Sequence, residues 1–212
     1  MAEYSERPRD RELDRLAAGT LLVSFPGTTA PEWVLRELEG GLGGVTLFGG
    51  NVADPERLGE LTRRLRAAGD PIVSLDEEGG DVTRLAYHVG SPYPGNAALG
   101  AVDDVELTRQ VYRSIGADLA RCGVTLDMAP DADVNTVADN PVIGTRAFGS
   151  DPELVARHTV AAVHGLQETG VAACVKHFPG HGATRQDSHL EVPVVDVDLD
   201  TLHARELAPF RA

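Results

Sequence analysis

Five short apolar runs alternate with helix-like segments, and this alternation limits the possible folds more than any other feature of the chain. The runs cover residues 20–25, 44–48, 71–75, 124–129 and 171–175, and each has the length of a buried strand. Strands that are separated by helices pair in parallel through right-handed crossovers. The sequence therefore predicts an α/β fold with a parallel sheet.

Helix starts between these runs are marked by capping residues and prolines. The clearest is Asp54-Pro55-Glu56, where an N-cap aspartate precedes a proline at the first helical position. Helices are predicted from about Asp10 to Ala18, from Pro31, from Asp54, from about Val105 to Arg121, from Ser150, and from Asp200 to Arg211. We expect residues 1–19 to form a polar tail and a short helix, and residues 20–212 to form one domain.

Two architectures fit this order of elements, an open doubly wound sheet and part of a (β/α)8 barrel. A nucleotide-binding doubly wound sheet carries a Gly-x-Gly-x-x-Gly turn after its first strand, whereas this strand leads into Pro26-Gly27-Thr28. No nucleotide or other cofactor is therefore expected. A full barrel has eight strands, so a barrel-type chain of 212 residues would hold only about the first five βα units.

Charge and hydropathy argue against two classes of partner. The formal net charge of −14 would repel polyanions, so neither nucleic acid nor an acidic membrane surface is expected to bind. The segment from Met1 to Asp14 lacks the apolar core of a signal peptide, and no apolar run is long enough to cross a bilayer. These patterns predict a cytoplasmic protein.

The densest group of chemically active residues follows the fifth predicted strand. Residues 176–189 read Lys-His-Phe-Pro-Gly-His-Gly-Ala-Thr-Arg-Gln-Asp-Ser-His. Proline and glycine place this segment on a loop at the carboxyl end of a strand, where parallel α/β folds build active sites. In extended chain, Asp187 and His189 would point to the same side, and the carboxylate would accept an imidazole N–H and raise the histidine pKa. His189 is thus a candidate proton donor, the alternative being an ordinary loop hydrogen bond.

Other polar residues follow the third and fourth predicted strands and are candidates for ligand binding. Asp76 ends the third strand and could accept hydrogen bonds from two sugar hydroxyls. Directional donors would come from Arg84, Arg146 and Lys176, although surface ion pairs or helix caps are the alternative for each. Asp131 and Asp133 follow the fourth strand.

A zinc site is the competing interpretation of the histidine-rich loop. Its ligands would be His177, His181, Asp187 and His189. Phe-Pro-Gly lies between the first two histidines, so they cannot share a helix face as paired zinc ligands do. We therefore expect no metal.

Three segments together resemble glycoside hydrolase family 3, specifically its β-N-acetylglucosaminidases. They are residues 75–85 (Leu-Asp-Glu-Glu-Gly-Gly-Asp-Val-Thr-Arg-Leu), residues 140–149 (Asn-Pro-Val-Ile-Gly-Thr-Arg-Ala-Phe-Gly) and residues 176–189. The resemblance covers essentially the whole chain. It implies a (β/α)8 barrel and retaining hydrolysis of terminal non-reducing β-linked N-acetylglucosamine. It also implies a small carbohydrate substrate, such as a muropeptide fragment from peptidoglycan.

The resemblance further implies a role for individual residues. His189 would be the general acid/base on a mobile loop, oriented by Asp187. The sugar would be held by Asp76, Arg84, Arg146, Lys176 and His177. Where the family has Gln and Arg, this chain has Glu77 and Asp81, which puts an extra carboxylate beside Asp76 and is expected to alter the pocket charge.

The second catalytic group is not assigned within this sequence. The nucleophile of the family is an aspartate on a later strand, which we expect beyond residue 212, and Asp196, Asp198 and Asp200 lie too close to His189 for that role. The chain is therefore expected to be a fragment of the barrel. Three alternatives remain open, a sugar-binding remnant without the nucleophile, a phosphorylase and a metal-dependent hydrolase.

Overall fold

A five-stranded parallel sheet forms the centre of the protein. The computed structural model describes residues 10–212, so the predicted polar tail over residues 1–8 lies outside the described residues. The strands are shorter than the apolar runs that predicted them, because only part of each run pairs with a neighbouring strand. They are Leu22–Val23 (β1), Gly44–Thr46 (β2), Ile72–Leu75 (β3), Leu126–Asp127 (β4) and Ala172–Ala173 (β5).

The strand order in space is the order along the chain, β1-β2-β3-β4-β5. Every pair is parallel, with Val45 opposite Val73 and Leu126 opposite Ala172 as examples of the register. An open doubly wound sheet reverses its strand order at a switch point, and no reversal occurs among these strands. The sheet therefore has the order of consecutive strands in a (β/α)8 barrel, and the doubly wound alternative is wrong.

Helices cover the sheet and follow the predicted starts. They are Arg11–Ala18 (α1), Glu32–Glu39 (α2), Pro55–Ala67 (α3), Asn96–Val102 (α4), Val105–Arg121 (α5) and Pro152–Gln167 (α6). The side chains of Asp54 and Asp151 accept backbone N–H groups in the first turns of α3 and α6, as N-cap residues do. Of these helices, α4 was not predicted. None of the described helices combines the length and the apolar character that crossing a bilayer requires.

The helix predicted from Asp200 to Arg211 is interrupted. A short α-helix, Leu199–Thr201 (α7), continues as a π-helix over Leu202–Glu206 and is followed by Ala208–Arg211 (α8). The backbone N–H of Leu207 donates to the carbonyl of Leu202, one residue further back than in an α-helix. Pro209 offers no N–H and its ring would press on the carbonyl four residues earlier, so a regular α-helix cannot pass through this point.

Close packing between α5 and α6 fixes the outer layer next to the last two strands. A Cβ atom on Gly165 would lie 2.3 Å from the carbonyl oxygen of Arg109, so only glycine permits this approach. Ile115 and Leu119 of α5 and Leu166 of α6 are fully buried in the core. The long connections after β3, β4 and β5 leave from the same end of the sheet, and they bring the predicted polar residues together.

Candidate active site

Lys176 is the centre of the polar network at the carboxyl end of the sheet. Its Nζ donates to Oδ1 of Asp76 at 2.6 Å and lies 2.6 Å from Oε1 of Glu78. Burial alone would lower the pKa of Lys176, but the negative charges of Glu78 and Asp76 outweigh burial and raise it. The lysine is therefore charged and joins the loop after β5 to the loop after β3.

Arg146 pairs with Glu78 through two parallel hydrogen bonds. Its Nε donates to Oε2 at 2.9 Å and its Nη2 donates to Oε1 at 2.7 Å. Burial would raise the pKa of Glu78, but hydrogen bonds from Arg146 and the positive charge of Lys176 lower it below the ordinary value. Glu78 is thus an ionised carboxylate, 2% exposed, that is held between two cations.

The carboxylate of Asp76 has a second cationic neighbour. Nη2 of Arg84 donates to its Oδ2 at 3.3 Å. Glu77, the residue that was expected to change the pocket charge, is buried, and its Oε2 accepts the backbone N–H groups of Arg84 and Leu85 at 2.8 and 2.9 Å. This carboxylate therefore shapes the loop after β3 and does not join the network around Lys176.

His177 bridges the network to the loop after β4. Its Nδ1 lies 2.6 Å from Oδ2 of Asp133, and its Nε2 lies 3.2 Å from Nη2 of Arg146. The other oxygen of Asp133, Oδ1, accepts the backbone N–H of His181 at 2.6 Å. The loops after three strands are thus connected through buried hydrogen bonds.

Asp131 lies beside this bridge but has an unpaired oxygen. Its Oδ1 accepts the backbone N–H of Asp133 at 2.9 Å, whereas its Oδ2 is buried without a hydrogen-bond partner. The nearest donors are Nδ1 of His177 at 3.6 Å and Nη2 of Arg146 at 3.9 Å. Burial, followed by the negative charges of Asp133 and Glu78, raises the pKa of Asp131 well above its ordinary value. The side chain therefore holds its proton to a higher pH than an ordinary aspartate does.

Within residues 10–212, one group of residues has donor atoms close enough together for a metal ion. Those of Asp131, Asp133 and His177 lie within 4.8 Å of one another. The Nδ1 atom that would bind the ion already faces Asp133, and the guanidinium of Arg146 stands beside it. This group shares only His177 with the zinc ligands considered from the sequence, which also included His181, Asp187 and His189. Nδ1 of His181 instead lies 2.7 Å from the hydroxyl of Thr184.

Asp187 and His189 form the predicted pair, but the backbone between them has a different conformation from the one expected. Oδ1 of Asp187 lies 2.7 Å from Nδ1 of His189 and also accepts the backbone N–H of His189 at 2.8 Å. The residues lie in a turn and not in extended chain, since the carbonyl of Asp187 accepts the N–H groups of Leu190 and Glu191. The backbone N–H and then the imidazole of His189 lower the pKa of Asp187.

The structure unites five of the seven predicted site residues. Asp76, Arg84, Arg146, Lys176 and His177 belong to one continuous network. The side chain of His189 is 78% exposed, and among the described residues neither it nor Asp187 hydrogen-bonds to that network. Sequence reasoning named Asp133 as a candidate polar residue without a specific role and gave no role to Glu78, although both follow the ends of strands, where the other members were found.

Replacing Asp131 with asparagine is expected to change how stability depends on pH. Because the native pKa is raised, the folded protein keeps a proton that the unfolded chain releases above about pH 4. The contribution of Asp131 to the free energy of unfolding therefore falls as pH rises from that value. We expect the stability of Asp131→Asn relative to the unsubstituted protein to increase between about pH 4 and about pH 7 in urea titrations. Parallel curves for the two proteins would show that Asp131 does not hold the proton.

Comparison with known proteins relates this chain to a family of glycosidases. The model of the glycosyl hydrolase family 3 N-terminal domain matches residues 21–212. A β-hexosaminidase from Nitrosomonas eutropha is 35% identical over 202 residues, which are 91% of this chain and 58% of that protein. Beta-hexosaminidase A from Pseudoalteromonas piscicida is also 35% identical, and the match covers 80% of this chain and 30% of that protein. The chain thus spans about a third to three fifths of these relatives.

Solved structures give the same result. A family 3 β-N-acetylglucosaminidase from Paenibacillus sp. str. FPU-7 superposes with a TM-score of 0.89 at 40% identity, covering 94% of this chain and 39% of that chain. NagZ from Neisseria gonorrhoeae, solved in complex with N-trifluoroacetyl-D-glucosamine, superposes with a TM-score of 0.83 at 35% identity, covering 90% and 59% of the two chains. The same NagZ has been solved in complex with a zinc ion.

Proposed function

Because the chain belongs to glycosyl hydrolase family 3, we propose that it carries the sugar-binding network and the acid/base pair of a β-N-acetylglucosaminidase. The reaction is hydrolysis of the O-glycosidic bond of a terminal non-reducing β-linked N-acetylglucosamine, with retention of configuration. The observation that supports it best is the network in which Asp76, Arg84, Arg146, Lys176 and His177 meet at the ends of neighbouring strands. Substrates of this class include muropeptide fragments derived from peptidoglycan.

Asp76 has the chemistry of a hydroxyl-binding residue. Its side chain is about one fifth exposed, whereas Glu78 is almost fully buried. Lys176 and Arg84 each hold one of its oxygens, so the carboxylate is fixed before a ligand arrives. A carboxylate offers about four lone-pair sites and can accept hydrogen bonds from two adjacent sugar hydroxyls while it keeps both cations.

The acid/base step is assigned to His189 with Asp187 as its partner. With its Nδ1 hydrogen-bonded to Asp187, the imidazole can give a proton from Nε2 to the leaving oxygen and later take one from water. A retaining mechanism also needs a nucleophilic carboxylate on the other side of the bond. We assign no residue between 10 and 212 to that role.

Hydrolysis of 4-nitrophenyl N-acetyl-β-glucosaminide by the intact protein tests the proposal. We expect release of N-acetylglucosamine with the β-anomer as the first product in proton NMR spectra, and a much slower reaction with the matching β-glucoside. A requirement for phosphate, with sugar 1-phosphate as product, would identify a phosphorylase. Binding of N-acetylglucosamine without turnover would identify a sugar-binding remnant. Loss of activity in chelator would favour a metal-dependent hydrolase.

A further inference from the structure

We propose that Asp133 is a positioning residue of this sugar site, which holds His177 as a hydrogen-bond acceptor for a sugar hydroxyl. The inference extends the proposed function, since it says how one of the binding residues is prepared for its ligand. It depends on three observations, namely the contacts of both Asp133 oxygens, the neighbours of the two ring nitrogens of His177 and the contacts of the turn that follows. None of them requires a bound ligand.

Both carboxylate oxygens of Asp133 hold the loop after β5. Oδ2 faces Nδ1 of His177 and Oδ1 accepts the backbone N–H of His181, each at 2.6 Å. Asp133 is fully buried, so no water competes for these contacts. Hydrogen bonds to an ionised acceptor in such surroundings are stronger than those between neutral groups.

The neighbours of His177 determine which nitrogen carries the proton. A guanidinium can only donate, so Nε2 of His177 must accept from Nη2 of Arg146 and is unprotonated. The proton therefore lies on Nδ1 and is donated to Oδ2 of Asp133. In this tautomer Nε2 has a single lone pair, which faces Arg146 at 3.2 Å. A sugar hydroxyl that donates its proton can take over this lone pair, because Arg146 keeps its two shorter hydrogen bonds to Glu78. Without Asp133, His177 would favour the Nε2–H tautomer that is common in free imidazoles. Its Nε2–H would then face the N–H groups of Arg146, so that two donors would point at each other.

The turn from His177 to His181 is held so that the imidazole cannot move away. Asp133 accepts the backbone N–H of His181, and Nδ2 of Asn140 donates to the carbonyl of the same residue at 3.0 Å. A Cβ atom on Gly182 would lie 2.2 Å from the carbonyl oxygen of Val134, so the turn packs directly on the chain beside Asp133. The N–H and the carbonyl of His181 are thus both hydrogen-bonded. Because His177 and His181 are the two ends of this short turn, these contacts also restrict the position of His177.

The consequence is a division of hydrogen-bond roles in the site. Asp76 and His177 accept from hydroxyl groups, whereas Lys176, Arg84 and Arg146 can only donate. A sugar hydroxyl both donates and accepts a hydrogen bond. Two neighbouring hydroxyls can therefore donate to an acceptor of the site and accept from one of its cations. Asp133 sets the role of His177 without touching the ligand, which makes it a positioning residue.

Asp133→Asn is the test variant, with Asp131→Asn as the matched control. An amide has one oxygen, so the substituted side chain can accept from His177 or from His181 but not from both. We expect the dissociation constant of N-acetyl-D-glucosamine in calorimetry, and the KM for aryl N-acetylglucosaminides, to rise roughly tenfold or more. Oδ1 of Asp131 accepts the backbone N–H of Asp133, and asparagine keeps an oxygen for this hydrogen bond, so the dissociation constant of the control should stay within about twofold.

Nitrogen-15 NMR of the histidine side chains gives a readout that does not depend on sugar binding. In the unsubstituted protein, His177 is expected as the Nδ1–H tautomer, and in Asp133→Asn as a mixture of the two tautomers. An Nε2–H tautomer in the unsubstituted protein would overturn the proposal even if the variant did not fold, and so would unchanged affinity in a folded Asp133→Asn. If the unsubstituted protein binds no N-acetylglucosamine while His177 shows the expected tautomer, the proposed function fails. The positioning of His177 by Asp133 would still hold.

Discussion

Replacing His189 with alanine is expected to lower kcat for hydrolysis of aryl N-acetylglucosaminides by about 10²- to 10⁴-fold, the usual contribution of a general acid/base. The reason is that Asp187 and His189 are the only proton-transferring pair that we assign within the described residues, and the imidazole is free to meet a leaving oxygen. The loss should be larger for 4-methylphenyl than for 4-nitrophenyl glycosides, because a poor leaving group depends more on protonation. Initial rates for both substrates measure this difference.

His164→Ala is the matched control for this prediction. His164 is an exposed histidine near the end of α6, outside the network around Lys176, and its removal should leave the rates unchanged. Equal losses with both leaving groups would show that His189 does not act as the proton donor. Full activity in His189→Ala would remove the assignment altogether.

Replacing Glu78 with alanine is expected to destabilise the protein by about 3–5 kcal/mol, as is usual when one partner of a buried ion pair is removed. The side chain neutralises both Arg146 and Lys176 within 2.9 Å and is 2% exposed. Without it, two cations would remain in a buried space with fewer acceptors. Urea unfolding gives the difference in the free energy of unfolding.

A surface pair of the same length provides the control. Arg64 and Glu32 also lie 2.7 Å apart, but both side chains are more than half exposed, so Glu32→Ala should cost less than about 1 kcal/mol. The two substitutions therefore separate the effect of burial from that of distance. Similar losses in both variants would contradict the view that burial makes the Glu78 pair important.

Capping residues and prolines predicted the starts of the long helices correctly. A short helix without such signals and the exact ends of the strands were not predicted. The Asp-Pro pairs at 54–55 and 151–152 open α3 and α6 as expected, because an N-cap and a first-turn proline act within one turn. The helix Asn96–Val102 was missed since it is short, contains a glycine and begins at Gly95 without a capping side chain. The extent of each strand was overestimated because apolar residues continue past the paired ones.

The position of the site was predictable, but its internal pairing was not. Residues that follow strand ends converge in any parallel sheet, which placed Asp76, Arg146 and Lys176 near one another from the sequence alone. The partner of Arg146 is 68 residues away, at Glu78, and periodicity does not reveal a contact over that separation. Asp187 and His189 were paired correctly because they are only two residues apart, although a turn and not extended chain brings them together.

The close pairing of charges around Lys176 has a consequence for how the site responds to salt. The carboxylates of Asp76 and Glu78 lie within 3.3 Å of Arg84, Arg146 and Lys176. Ion pairs as short and as little exposed as these are screened by salt far less than separated surface charges. The affinity for an uncharged sugar would therefore be nearly independent of ionic strength, in spite of the strongly acidic composition of the chain.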